Sequence, residues 1–138
     1  MVLVDTSVWV EFLRGTGSKY NLVLHRFIEE EEDICISDII LTEILQGIRR
    51  DKDFERIKKY ILDFPIYALK DARSFVEAAQ IYRECRKKGL TIRRPLDCII
   101  ARVAIENNLV LCHNDRDFDT IAKAVKGLGI YKIPLRVS

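Results

Sequence analysis

Residues 2–7 read Val2-Leu3-Val4-Asp5-Thr6-Ser7, so three apolar residues lead directly into a carboxylate. A short run of valine and leucine indicates a buried β-strand. A charged side chain at the end of such a strand needs polar partners, because an unpaired charge is costly to remove from water. The role of this stretch therefore depends on which other side chains of the chain meet Asp5.

Short strand-forming runs alternate with longer segments of helical periodicity in the rest of the chain. The predicted strands are 2–4, 34–36, 65–68, 109–112 and 130–133. The predicted helices are one through Trp9 and Phe12, followed by 20–32, 38–48, 54–63, 71–88, 96–107 and 118–125. This alternation predicts an α/β fold with a mostly parallel central sheet of about five strands. In such sheets, ligands bind in the crevice beyond the carboxyl ends of the strands.

The composition is typical of one globular domain, which we expect to span residues 1–138. Hydrophobic residues make up 49% of the chain and charged residues 32%. No apolar run approaches the ~20 residues of a membrane helix, and the first residues lack the pattern of a signal peptide. No CxxC pair is present, so we expect reduced thiols, a cytoplasmic protein and no membrane partner. The cysteines are Cys35, Cys85, Cys98 and Cys112.

Three further carboxylates occupy conspicuous positions. Asp115 follows the predicted strand 109–112, Glu43 lies among apolar residues in SDIILTEILQG (37–47), and Asp97 opens the apolar helix of PLDCIIARVAIENN (95–108). Each acid alone has a simpler explanation as a turn residue, a surface residue, a helix cap or a first-turn acid. Together with Asp5 they favour one shared site, because three of the four stand at a strand end or a helix start facing the same sheet edge.

Carboxylates that share a pocket need a positive partner. Two unit charges about 4 Å apart repel by roughly 4 kcal/mol at an effective dielectric constant near 20. The sequence has no His/Cys set with zinc spacing, so a hard divalent cation, Mg²⁺ or Mn²⁺, fits best. Basic clusters occur near these acids, such as Arg93-Arg94 just before Asp97, although such clusters are also common on solvated helix surfaces. An acidic pocket near such clusters suggests metal-assisted phosphodiester hydrolysis.

Four motifs, in order, resemble those of the PIN-domain ribonucleases, and in particular the VapC-type toxins of toxin–antitoxin pairs. The resemblance extends from Met1 to about Ile133, and the step from Asp97 to Asp115 is eighteen residues. It implies a PIN-like three-layer α/β/α fold and a metal-dependent endoribonuclease. The motifs are VDTSVWVEFL (4–13), TEILQG (42–47), DCIIARVA (97–104) and LCHNDRDF (111–118).

By this resemblance, the acidic quartet of the family corresponds to Asp5, Glu43, Asp97 and Asp115. Asp5 and Asp97 would bind Mg²⁺ or Mn²⁺ most directly, and Asp115 would complete the site. Glu43 would position or deprotonate the attacking water. All four are therefore predicted as catalytic residues and metal ligands.

The same resemblance assigns supporting roles to neighbouring residues. Ser7 would orient a ligand carboxylate, although a hydroxyl near a helix N-terminus has the same local pattern. Asp117 would support the site through water. His113 departs from the Thr or Ser found in many relatives, which leaves its role open. Arg93 and Arg94 are predicted to contact the RNA backbone near the metal.

The resemblance also implies an RNA substrate, a homodimer and a small cognate antitoxin that blocks the site. An exposed apolar helix face with Trp9, Phe12 and Leu13 could receive an antitoxin helix, or these residues could pack in the core. The alternative function is a PIN-like module that binds RNA or protein without cleaving it. The presence of all four acids favours the enzyme.

Overall fold

A single sheet organises the computed structural model, which describes residues 1–134. Its strands are β1 (Val2–Val4), β2 (Ile34–Ser37), β3 (Ile66–Tyr67), β4 (Val110–Cys112) and β5 (Gly129–Ile130). Their spatial order is β3-β2-β1-β4-β5, and every neighbouring pair is parallel. The predicted five-stranded α/β sheet is therefore confirmed.

The predicted strand 130–133 is the least accurate of the five, because the observed β5 ends at Ile130. This edge strand pairs only with β4, which itself ends at Cys112. Tyr131 still donates its backbone N–H to the carbonyl of Leu111 at 2.8 Å. The regular pairing of β5 with β4 ends at Ile130.

Seven helices of the described residues pack on this sheet. The set α1 to α4 packs together, and the set α5 to α7 packs together, which gives the predicted α/β/α layers. The helices are α1 (Thr6–Arg14), α2 (Lys19–Glu29), α3 (Asp38–Gln46), α4 (Asp51–Ile61), α5 (Ala72–Lys87), α6 (Leu96–Glu106) and α7 (Arg116–Ala124). None of them is both long and apolar enough to cross a membrane.

The direction of strand addition reverses at β1. From β1 the chain adds β2 and β3 on one side, and it then crosses to the other side to add β4 and β5. Consequently β1 and β4 are direct neighbours, with Val4 opposite Cys112. The Asp5 N–H donates to the Cys112 carbonyl at 2.9 Å, so the segments that follow the two strands start side by side. A crevice at such a reversal is the usual ligand site of an open α/β sheet.

Trp9 belongs to the core. Its side chain is fully buried, and its ring makes edge contacts with Phe12 and Phe64 at centroid distances of 5.9 and 5.5 Å. Phe12 and Leu13 are half-buried and pack against the same core. The hypothesis of an exposed antitoxin-binding face is therefore wrong for Trp9, because α1 turns this apolar face towards its own domain.

The four cysteines are buried in the same interior. All of them are free thiols, as the sequence predicted. Burial raises the pKa of Cys35, Cys98 and Cys112 to about 12, so these thiols stay protonated at neutral pH. They act as small apolar side chains in the core.

Truncation of Trp9 tests its place in the core. We expect Trp9→Ala to lower the free energy of unfolding by about 3–5 kcal/mol, because it leaves a cavity among aromatic rings. Val76→Ala is the control, since Val76 is exposed on α5 and its truncation should change stability by less than about 0.5 kcal/mol. Urea unfolding of both variants measures the difference, and similar values for the two would contradict the packing described.

Candidate metal centre

Helix N-termini hold three of the four predicted catalytic acids. Asp5 caps α1, Asp115 caps α7, and Asp97 lies in the first turn of α6. The positive end of each helix dipole therefore faces a carboxylate, which stabilises its charge by about 0.3–1 kcal/mol. The simple local explanation of these acids as helix-start residues is correct, and it coexists with their gathering at one sheet edge.

Ser7 connects the segments after β1 and β4. Its hydroxyl donates to Asp5 Oδ2 at 2.6 Å and accepts the backbone N–H of Asn114 at 2.8 Å. The Ser7 N–H also donates to Asp5 Oδ2, at 3.0 Å. One carboxylate oxygen of Asp5 is thus fixed by two donors, while Asp5 Oδ1 is buried and has no hydrogen-bond partner among residues 1–134.

Asp97, Asp115 and Asp117 form a compact group of carboxylates. One oxygen from each lies within 4.8 Å of the other two. Asp97 and Asp117 are buried, and Asp115 is nearly so. Three converging carboxylate oxygens are a donor set that hard divalent cations prefer. This cluster could therefore bind a metal ion.

Asp117 also ties α7 to the segment that precedes α6. Its Oδ2 accepts the backbone N–H of Arg93 at 3.1 Å and that of Arg94 at 3.0 Å. The resemblance to PIN-domain ribonucleases implied only a supporting role for Asp117, through water. The spacing of two residues after Asp115 was the only local signal of its place in the cluster.

Glu43 reaches the same region from α3. Its Oε1 accepts the hydroxyl of Thr6 at 2.9 Å, and its Oε2 accepts a hydrogen bond from the Arg94 guanidinium. Arg94 also lies 3.4 Å from Asp97 Oδ1, so it bridges the two acids. Asp5 belongs to this side of the site, where its charge interacts with those of Glu43 and Arg94.

Arg93 interacts with the other side of the site. Its guanidinium lies 3.0 Å from Asp115 and 3.6 Å from Asp117. About half of each arginine side chain remains exposed, at 52% for Arg93 and 46% for Arg94. The structure thus places both predicted RNA-binding arginines next to the acids, with their guanidinium groups directed at carboxylates.

The pKa values of the acids diverge. Burial, followed by a hydrogen bond shared with Asp117, raises the pKa of Asp97 to about 8, although the charge of Arg94 partly opposes both effects. Burial also opposes ionisation of Asp117, but hydrogen bonds from Asp97 and from the backbone of Arg93 and Arg94 lower its pKa overall. A protonated Asp97 therefore donates a hydrogen bond to the ionised carboxylate of Asp117. For Asp5, burial outweighs the Ser7 hydrogen bonds and raises the pKa.

The buried oxygens of the site fit a cation. When Asp97 is ionised, its Oδ2 has no donor among the described residues, as is also true of Asp5 Oδ1. Such oxygens are costly to bury unless something positive meets them. A divalent ion with oxygen ligands would satisfy them directly.

His113 supports the backbone at Asp115. Its Nδ1 accepts the backbone N–H of Asp115 at 3.0 Å, its Nε2 lies 3.2 Å from Asp119, and its ring packs on Phe118. The imidazole is largely buried and is not a member of the three-carboxylate cluster. It therefore positions the backbone of Asp115.

Comparison with known sequences places this arrangement in a family. Residues 2–124 match the PIN domain. The chain belongs to the PIN domain family. The ribonuclease VapC11 of Mycobacterium tuberculosis is 39% identical over 124 residues, which cover 89% of this chain and 92% of that protein.

Solved structures share the fold of this PIN domain. VapBC2 from Rickettsia felis, solved with a DNA fragment from its promoter, has a TM-score of 0.70 and 21% identity and covers 95% of this chain and 98% of that chain. A toxin–antitoxin complex from Klebsiella pneumoniae has a TM-score of 0.69 and 19% identity, with coverage of 94% and 100%. At these identities the likeness concerns the fold.

The raised pKa of Asp97 makes the stability of the metal-free protein depend on pH. Because the folded pKa lies above the unfolded value of about 3.9, the contribution is fully present below that value and is lost as pH rises through about 8. We expect the melting temperature in excess chelator to fall between pH 5 and about 8. In Asp97→Asn this fall should be smaller, with the raised pKa of Asp5 leaving a residual slope.

Thermal melts of the unsubstituted protein and of Asp97→Asn between pH 5 and about 8 measure this difference. At the alkaline end, Asp97→Asn should melt at the same temperature as the unsubstituted protein or higher, because no buried charge remains at that position. A variant that melted lower throughout would show that Asp97 serves mainly to support the fold.

Proposed function

We propose that this chain is a Mg²⁺- or Mn²⁺-dependent endoribonuclease that hydrolyses RNA phosphodiester bonds as the toxin of a toxin–antitoxin pair. The observation that carries the proposal is the group of three carboxylate oxygens, within 4.8 Å of one another, at the carboxyl edge of a PIN domain. The identity of 39% to a protein named as a ribonuclease supports RNA as the substrate.

The donor set supports the choice of metal. The cluster offers carboxylate oxygens and neither thiolate nor imidazole, which favours Mg²⁺ or Mn²⁺ over zinc. A divalent ion held there supplies a Lewis acid for the phosphate and a water nucleophile active near neutral pH. We assign its binding to Asp97 and Asp115, with Asp5 reaching it through the buried oxygen that has no partner among the described residues.

The remaining residues of the site position these groups. Glu43, held by Thr6, is suited to orient or deprotonate the attacking water. Ser7 fixes the orientation of Asp5 through two hydrogen bonds. Asp117 holds the backbone of Arg93 and Arg94 beside the acids and lies close enough to contribute an oxygen of its own.

Arg93 and Arg94 supply the positive charge that an RNA backbone requires. Their half-exposed guanidinium groups border the acids, where phosphates next to the scissile bond would lie. Contacts of this kind give affinity without reading sequence.

The comparisons support an antitoxin as a further partner. We infer a cognate antitoxin that covers the site, as the Klebsiella pneumoniae structure of the same fold is a toxin–antitoxin complex. We also infer a homodimer. The free buried cysteines favour a reducing compartment, and we place the protein in the cytoplasm.

Metal removal tests the reaction directly. Antitoxin-free protein should cleave single-stranded RNA with Mg²⁺ or Mn²⁺, lose this activity in excess EDTA, and regain it when the ion is restored. Gel analysis of RNA fragments measures this. Undiminished cleavage in EDTA would exclude the metal mechanism, and RNA binding without cleavage under all conditions would favour the non-cleaving module.

Substitution of the three acids in the HNDRDFDT segment (113–120) ranks their roles. Asp115→Asn should lower the single-turnover rate by orders of magnitude, because it removes a metal ligand. Asp117→Asn should lower it moderately, by about 10–100-fold, as outer-shell partners of metal ligands do. Asp119→Asn is the matched control, since this acid is 59% exposed and should be dispensable.

Rates should be measured at saturating Mg²⁺ on variants shown to be folded. Asp117→Asn should also lose about 1–3 kcal/mol of stability, because the partly buried backbone N–H groups of Arg93 and Arg94 lose a charged acceptor. If Asp119→Asn proved the most damaging of the three, the assignment of the site would be wrong.

A further inference from the structure

Arg94 supplies positive charge to the acids on one side of the site. Its guanidinium donates to Glu43 Oε2, lies 3.4 Å from Asp97 Oδ1 and interacts with the charge of Asp5. These are three of the four acids to which we assign the reaction. Arg94 therefore offsets negative charge that a divalent ion at Asp97 would also offset.

A divalent ion bound by Asp97 would repel the guanidinium of Arg94. An ion bound by Asp97 lies about 2.0–2.1 Å from the carboxylate oxygen if it is Mg²⁺. Arg94 contacts the same carboxylate, so the two positive groups would be in direct repulsion. An ion at Asp97 Oδ2, which has no partner among the described residues, would therefore weaken the contact of Arg94 with Oδ1 and favour release of the arginine side chain.

The structure allows this displacement without a change of fold. The Arg94 backbone N–H is anchored by Asp117 at 3.0 Å, whereas the side chain is 46% exposed and its described hydrogen bonds and ion pairs all go to the acids. The side chain can thus rotate towards solvent while its backbone stays in place. Arg93 differs, because it pairs with Asp115 and Asp117 on the opposite side of the cluster.

We propose that Arg94 is an internal counter-ion that holds Glu43 and Asp97 in the metal-free protein and is released by the divalent ion to contact a phosphate of the RNA. Metal binding then does two things at once, since it completes the acidic site and frees a cation for the substrate. The part of this proposal that concerns RNA rests on the proposed function. The exchange between Arg94 and the ion is independent of it.

Calorimetric titration with Mn²⁺ tests the exchange in the absence of RNA. Metal-stripped, antitoxin-free Arg94→Gln should bind Mn²⁺ about tenfold or more tightly than the unsubstituted protein, because the ion no longer competes with a guanidinium. Arg94→Lys keeps the charge without the planar fork, and its Mn²⁺ affinity should fall between the two. Arg56→Gln is the control, since it removes the same charge from the surface of α4, where Arg56 pairs with Asp53.

Thermal melts provide a second measurement on the same proteins. Mn²⁺ should raise the melting temperature of Arg94→Gln more than that of the unsubstituted protein or of Arg56→Gln, because tighter binding stabilises the folded state more strongly. At saturating Mn²⁺, Arg94→Gln should raise KM for RNA with a smaller change in kcat, since a phosphate contact is lost. Its half-maximal Mn²⁺ concentration for activity should nevertheless fall.

The outcomes separate this proposal from the proposed function. Equal or weaker Mn²⁺ binding by Arg94→Gln would overturn the exchange, as would the absence of Mn²⁺ binding by both proteins. If Arg94→Gln bound Mn²⁺ more tightly but the protein cleaved no RNA, the exchange would stand and the ribonuclease assignment would be wrong. If the protein cleaved RNA and Arg94→Gln left the Mn²⁺ affinity unchanged, the ribonuclease assignment would stand and the exchange would be wrong.

Discussion

The parallel pairing of β1 with β4 is the contact on which the site depends. It places Val4 opposite Cys112 and is extended by the hydrogen bond from the Asp5 N–H to the Cys112 carbonyl. Asp5 and Asp115 are 110 residues apart in the chain, yet they leave the sheet at the same edge. Because both segments turn at once into helices capped by these acids, the carboxylates stay at the sheet edge and cannot move away into solvent.

The negative charge gathered at this sheet edge is offset by several groups of the protein. Buried carboxylates repel one another and lose their hydration, so each must be offset locally. The N-termini of α1, α6 and α7 supply partial positive charge, and Asp97 can retain a proton that it shares with Asp117. The two arginines before α6 add full charges, one on each side of the cluster. A divalent ion would replace part of this compensation.

Asp117 illustrates how structural and functional roles coincide in the site. It accepts the backbone N–H groups of Arg93 and Arg94, and it is one of three carboxylates close enough to share an ion. A single side chain therefore holds the backbone just before α6, where the two arginines lie beside Asp97. Loss of such a residue changes stability and site geometry together, which is why its substitution must be read against an exposed acid of the same helix turn.

The sequence by itself determined the order of strands and helices, because hydrophobic periodicity and capping residues act over a few positions. It also predicted a shared site for Asp5, Glu43, Asp97 and Asp115, since carboxylates in apolar surroundings are conspicuous. Only the tertiary structure decided that Asp117 joins the cluster, that Trp9 faces the core, and that Arg94 bridges Glu43 and Asp97. These features depend on contacts between residues far apart in the chain, such as Glu43 and Arg94, which are separated by 51 positions. Local sequence does not encode which distant side chains the packing brings together.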